Sequence, residues 1–146
     1  MSLGVGALAF AADQISKALV ETNLRNGNTI ELLGGLVRLD YTRNTGAAFS
    51  LLQTGGWLFA IVAVAVSAGI LLYLRRAGDT SLGVVIALGL ILGGALGNLA
   101  DRIRLGYVVD FIDLRWWPVF NVADSAIVFG VASLIIRSLC QPAARQ

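Results

Sequence analysis

Four aspartates, Asp101, Asp110, Asp113 and Asp124, fall within the stretch from Ala95 to Asp124, between two runs that are almost wholly apolar. A carboxylate in such a setting needs a partner, water or a task, because an ionised group left alone there is costly. Asp110 is the hardest to explain as scaffolding: it stands in Tyr107-Val108-Val109-Asp110-Phe111-Ile112, an otherwise apolar hexapeptide. Asp124 follows Asn121 by three residues at the start of another apolar run. Asn is a favoured N-cap, and an acid at the third helical position meets free N–H groups and the positive end of the helix dipole. An ordinary first-turn acid has the same signature, so spacing alone leaves both readings of Asp124 open. Two carboxylates brought together share a proton, one acting as base on a water and the other as acid. That chemistry needs no metal, nucleophilic side chain or histidine. The chain has no histidine and a single cysteine, Cys140, which removes His-based catalysis, haem, an internal disulfide and most zinc sites. No metal or cofactor is expected, and Asp113, beside Arg115, reads as a solvated rim charge with no role.

Other polar residues also sit at the ends of apolar segments. Gly94, Asn98 and Arg102 recur at intervals of four and form one helical stripe facing the bundle. An Asn amide and a guanidinium there can hold a peptide backbone or orient the acids; the plainer alternative is a helix end tied to its loops by Asp101 and Arg102. Asp13 and Lys17, four apart inside the first apolar segment, share a face, can pair, and must point into the bundle or at water.

The elements that must position these groups follow from composition. With 146 residues, 57% hydrophobic and 14% charged, the chain has too little polar surface for a soluble globule of its size. Its mean hydropathy is +0.78. A span takes roughly 20 apolar residues, and four segments qualify: 3–20, 57–74, 82–99 and 122–139. The expected fold is an all-α membrane protein, a bundle of four transmembrane helices in one domain over residues 1–146. Met1 to Gly6 has no basic run and the apolar run after it has no convincing small-x-small cleavage site, so the first segment reads as a retained span. Between the first two spans, Val37, Leu39 and Tyr41 alternate with Arg38, Asp40 and Thr42, a strand period, and Gly34-Gly35 offers a hairpin turn. A small extramembrane β-hairpin is expected there. Gly89, Gly93 and Gly97 suit close helix packing.

Four antiparallel spans gather Asp13, Lys17, Asn44, Asn98, Asp101, Arg102, Asp110, Asn121 and Asp124 at one membrane surface. The other surface keeps little beyond Arg75, Arg76, Asp79 and Arg137. Counting Arg75, Arg76, Arg137 and Arg145 against Arg25, Arg38, Arg43, Arg102, Arg104 and Arg115 gives four against six, which taken literally puts the polar surface in the cytoplasm. Several of the six stand beside carboxylates, so the count leaves orientation open. The net charge of +2 is scattered, with no basic tract, and nucleic acid is not an expected partner.

Asp13-Gln14-Ile15-Ser16-Lys17, Asn44-Thr45-Gly46-Ala47-Ala48-Phe49, Gly97-Asn98-Leu99-Ala100-Asp101-Arg102, Val108-Val109-Asp110-Phe111 and Phe120-Asn121-Val122-Ala123-Asp124-Ser125 together resemble the bacterial lipoprotein signal peptidases, signal peptidase II. The match spans nearly the whole chain. The resemblance implies an intramembrane aspartyl endopeptidase that removes the signal peptide of diacylglyceryl-modified prolipoproteins, cutting before the lipidated cysteine. It makes Asp110 and Asp124 the catalytic pair, with Asp13, Lys17, Asn44, Gly94, Asn98, Asp101, Arg102 and Asn121 supporting or positioning substrate. It further implies a monomer in contact with membrane lipid in the bacterial inner membrane, with cytoplasmic termini and a site near the periplasmic face, against the arginine count. Loop one becomes a substrate cradle, although the segment from Gln53 to Gly56 is short for the family.

The principal rival is a small proton- or ion-coupled transporter or channel using the same carboxylates. Clustering of the acids at one surface, with the rest of the bundle apolar, argues against it. A serine–lysine protease built on Ser16 and Lys17 fails because adjacent helical residues diverge.

Overall fold

The computed structural model describes residues 1–46, 55–77 and 81–140. The Ala47 to Phe49 part of the loop-one motif, Gln53 and Thr54, Asp79 and Arg145 lie outside the described residues. Four helices carry the fold: α1 (Ser2–Leu24), α2 (Gly55–Arg76), α3 (Leu82–Leu105) and α4 (Val122–Cys140). Each is long and apolar enough to cross a membrane. Helices are the natural solution for such segments, since every backbone group is satisfied within the segment and none is left to face lipid.

α3 is the centre of the bundle. It packs against α1, α2 and α4, while α2 packs principally against α3 alone. Glycines set these distances. A Cβ on Gly93 would strike the Gly6 carbonyl and Ala9 of α1, and one on Gly94 would strike the Ala123 carbonyl of α4. The packing expected for Gly89 and Gly93 is therefore observed, and Gly94 serves a helix contact of the same kind on the opposite side of α3. The span expected to end at Leu99 continues to Leu105 and stops at Gly106, whose left-handed φ of 79° lets its N–H donate to the Arg102 carbonyl. The polar residues of that last stretch lower its hydropathy, but Asp101 is buried by tertiary partners and keeps it helical.

The expected hairpin is present as β1 (Ile30–Leu32) and β2 (Val37–Asn44), joined by a 3-10 turn over Leu33–Gly35. It is joined by β3 (Val108–Asp113), from the connection between α3 and α4, giving an antiparallel sheet of order β1-β2-β3. β3 was not anticipated: it is buried on both faces, so its apolar run shows no period of two. Leu39, Tyr41, Val109 and Phe111 pack with Val20 and Leu24 and seat the sheet on the end of α1.

A bulge in β2 sets which side chains meet across the sheet. Leu39 pairs with Ile112, but Thr42 pairs with Asp110 and Asn44 with Val108, so β2 carries one extra residue between the two registers. Without that residue Asp110 would face Tyr41, and Asn44 would lie on the other face of the sheet. With it, Asn44 and Asp110 are diagonal neighbours on one face.

Candidate active site

Asp110 projects from β3 and Asp124 from the first turn of α4, and Asn121 stands between them. Phe120 pairs with Ile112 of β3 and so returns the chain beside that strand two residues before α4 begins. The Asn121 Oδ1 accepts the Asp124 N–H at 2.9 Å and the Asp124 Oδ2 accepts the Asn121 N–H at 3.3 Å, a reciprocal cap. The Asn121 Nδ2 turns the other way and donates to Asp110 Oδ1 at 2.7 Å. One fully buried residue thus bonds both carboxylates, Asp110 through its side-chain NH₂ and Asp124 through its backbone N–H. Asn44 Nδ2 donates to the second oxygen of Asp110 at 2.8 Å, and Asn98 Nδ2 donates to Asp124 Oδ1 at 2.7 Å.

Behind these amides lies a buried charged cluster. The Lys17 ammonium reaches Asp13 Oδ2 at 2.8 Å, Asp101 Oδ2 at 2.9 Å and Asn98 Oδ1 at 2.9 Å. The pair expected from the i, i+4 spacing of Asp13 and Lys17 is formed, with Asp101 added to it. Lys17 has only donors, so Asn98 must offer it oxygen, and the Asn98 NH₂ is left facing Asp124. Each acid also holds an element. Asp13 Oδ1 accepts the Ala123 N–H of α4 at 2.9 Å, and Asp101 Oδ2 accepts the Val109 N–H of β3 at 3.1 Å. Close approach of Asp13 depends on Gly97, where any Cβ would meet its carboxylate. Gln14, given no role from sequence, bonds Asp13, Asp101 and the Gly97 carbonyl. A second polar residue next to Asp13 in an apolar span was the available signal. Ser16 donates back to the Asp13 carbonyl at 2.8 Å, so it forms no dyad with Lys17 in this arrangement.

Burial pushes the Asp110 carboxyl up to about 6; the Asn44 and Asn121 amides hold it down, and the charge of Asp124 raises it. Asp113 corrects an expectation. It is buried rather than a solvated rim charge, and it takes a 2.9 Å ion pair from Arg38 directly opposite on β2. The Arg115 backbone N–H and Arg38 hold its carboxyl below the usual range.

Arg102 donates to the Asn98 carbonyl at 3.2 Å and places its guanidinium 5.3 Å from the centre of the Phe59 ring on α2. Phe59, which sequence offered no reason to choose, thus joins the site. Asn44, Asn98, Arg102 and Asp124 form the polar end of a groove of about 390 Å³ between α2 and α4, whose walls include Phe59, Val62, Ala95 and Ile127. Gly94 does not line it. Four helical residues turn the direction by about 40°, so the stripe from Gly94 to Arg102 winds from α4 round toward α2 instead of keeping one heading.

The model of signal peptidase (SPase) II matches residues 5–140. The chain belongs to the signal peptidase II family. A lipoprotein signal peptidase of Moorella thermoacetica is 46% identical over 139 residues, covering 95% of this chain and 92% of the relative. One from Pseudomonas aeruginosa is 43% identical over 143 residues, 92% of this chain and 85% of the relative. A bacterial membrane enzyme solved at 1.9 Å by the in meso method superposes with a TM-score of 0.89 at 30% identity, over 97% of this chain and 94% of that one. The signal peptidase II fold, four apolar helices with a small antiparallel sheet, makes this a multi-pass bacterial membrane protein and a protease.

Proposed function

We propose that this signal peptidase cuts as an aspartyl endopeptidase, with Asp110 and Asp124 as the catalytic pair, and that its substrates are prolipoproteins carrying a diacylglyceryl cysteine. Removal of signal peptides from prolipoproteins is the family's activity; the pair, the lipid requirement and the position of the cut are the finer reading. The observation that carries it is the Asn121 side chain, which donates to the Asp110 carboxylate and accepts the Asp124 backbone N–H, and so ties Asp110 to the turn whose Asp124 heads a groove running between helices.

Burial favours protonated Asp110, and with one proton held by the pair the reaction starts from ionised Asp124. Ionised Asp124 takes a proton from water as the water oxygen adds to the scissile carbonyl carbon, and Asp110 gives its proton to the carbonyl oxygen. On collapse of the gem-diol Asp124 gives its proton to the departing cysteine nitrogen and Asp110 takes one from a gem-diol hydroxyl, so the C–N bond breaks, the signal peptide leaves with a new carboxyl terminus and both acids are reset. Arg102 binds backbone carbonyls without reading side chains, and Asn98 and Asn121 hold the two acids in register. Asp13, Lys17 and Asp101 position the amides and the first turn of α4, and Gly94 permits that turn to sit close. Purified protein in liposomes should release a product beginning at the lipidated cysteine, with little cleavage of the unlipidated precursor. A cut elsewhere, or equal rates on both precursors, would overturn this reading.

The mechanism fixes a pH response. Asp110 holds its proton below about 6 and loses it above, so kcat/KM of the free enzyme should fall along an alkaline limb near that value, reporting the pair as a unit. The Asn44 N–H stabilises the carboxylate form of Asp110. Asn44→Ala should therefore move the limb to higher pH, and an unmoved limb would detach Asn44 from the titration.

We place the enzyme in the inner membrane as a monomer, with the site toward the periplasm and the termini in the cytoplasm. Three of the six arginines that opposed this orientation are held by carboxylates: Arg25 by Glu21, Arg38 by Asp40 and Asp113, and Arg115 by Glu31. Cys140 is exposed at the end of α4 remote from the site. A membrane-impermeant maleimide should label it only after the cells are permeabilised; labelling of intact spheroplasts would reverse the orientation.

A further inference from the structure

Asp124 borders two grooves. On the α2 side it closes the one described above. On the outer side of α4 it borders a second, of about 330 Å³, whose lining includes Trp116, Trp117, Phe120, Val128 and Phe129. The two differ in chemistry. The α2-side groove ends among Asn44, Asn98 and Arg102, which can meet peptide carbonyls. In the outer one the polar groups of the lining are Asp124, Ser125 and the indole N–H groups of Trp116 and Trp117, against a wall that is otherwise apolar. The Ser125 hydroxyl already donates to the Asn121 carbonyl at 3.1 Å, and both Asp124 oxygens already accept. A peptide laid there would lose water from its amides and find few partners along the apolar wall, whereas a hydrocarbon chain would lose nothing. Val128 and Phe129 are 63% and 67% exposed on the outer face of α4, so the groove opens toward lipid. Trp116 and Trp117 meet edge to face at 5.9 Å beside the first turn of α4, the level at which indoles settle at a bilayer boundary.

We infer that this outer groove is an acyl-chain slot, which receives a chain of the diacylglyceryl group on the substrate cysteine while the α2-side groove receives the peptide. The inference rests on the proposed lipidated substrate. The amine released by cleavage belongs to that cysteine, so its lipid leaves the reaction centre within a few bonds of the pair. A slot that begins in the bilayer and ends on Asp124 uses the chain to set the scissile bond in place. An unlipidated precursor would then be a poor substrate because it lacks this anchor.

The test pairs labelling with kinetics. A prolipoprotein bearing a diazirine on one acyl chain is bound to Asp110→Asn protein in liposomes and irradiated. Label is expected on Trp117, Val128 or Phe129. Label on Phe59, Val62 or Val66 of the α2 side would overturn the slot, as would equal labelling of the outer groove by a diazirine phospholipid that excess substrate fails to displace. Val128→Trp, a filling change on an exposed face, should raise KM for the dipalmitoyl substrate about tenfold, the equivalent of roughly two methylenes losing burial. kcat should stay within about twofold, and a diacetyl substrate should be unaffected. Equal effects on both substrates would also overturn it. If wild-type protein cleaves no lipidated precursor, the proposed function fails; cleavage with label on α2 removes the slot alone.

Discussion

Asp110→Asn and Asp124→Asn should each lower the rate of prolipoprotein cleavage by about four orders of magnitude or more, as in other catalytic groups that act as a unit. The change is nearly isosteric, so the cause is chemical. Asparagine at 124 cannot take the proton from water, and asparagine at 110 is not an acid able to supply one. The fold should survive both. In Asp110→Asn the new amide can still accept from Asn121 through its carbonyl, although its NH₂ must then face Asn44, which in the wild type donates to Asp110. In Asp124→Asn the new amide keeps an acceptor for either Asn98 or the Asn121 N–H. Thermal unfolding in detergent should therefore stay close to wild type while turnover disappears. A variant that keeps more than a few per cent of the wild-type rate would exclude that residue from the reaction.

Lys17→Met should be the most damaging single change to stability, costing about 3–5 kcal/mol, the range for removing one partner of a buried ion pair. Lys17 is 4% exposed and Asp13 fully buried, so solvent cannot replace the lost ammonium. Two carboxylates would face each other across the gap, and each holds a neighbouring element: Asp13 the first turn of α4, Asp101 the start of β3. The loss should therefore reach the site, freeing the Asn98 amide to rotate away from Asp124. Unfolding midpoints in one detergent, compared with the Lys17→Met, Asp101→Asn double variant, measure this. The double variant should recover part of the loss because one unpaired charge has gone. A midpoint unchanged in the single variant would mean that the cluster contributes no pairing energy.

Much of this architecture is legible in the chain because lipid imposes strict rules. The four spans appear as apolar runs, and their alternating direction alone collects Asp13, Asn98, Asp110 and Asp124 on one surface. The Asn121 and Asp124 cap follows from a spacing of three, and the Asp13 and Lys17 pair from a spacing of four. What stayed hidden depends on contacts between distant segments. β3 has no alternating pattern because both its faces are covered, so its pairing with β2 and the bulge that brings Asn44 to Asp110 left no local trace. Asp113 looked solvated because Arg115 is its nearest cation in sequence, while the partner that buries it, Arg38, lies across the sheet. Spacing alone gives Gly94, Asn98 and Arg102 one heading, but the slow rotation of an i, i+4 row carries them from α4 round toward α2. The two ends of the Asn121 amide could be assigned only once β3 stood beside α4.

Whether the two aspartates work as one pair is tested most directly by the single-turnover rate of the Asp110→Asn, Asp124→Asn double variant on a diacylglyceryl prolipoprotein. If one proton is shared between them, either single change already abolishes the chemistry, and the double variant should retain the same residual rate as each single. A double variant slower by the product of the two single losses would show independent contributions and contradict the pair.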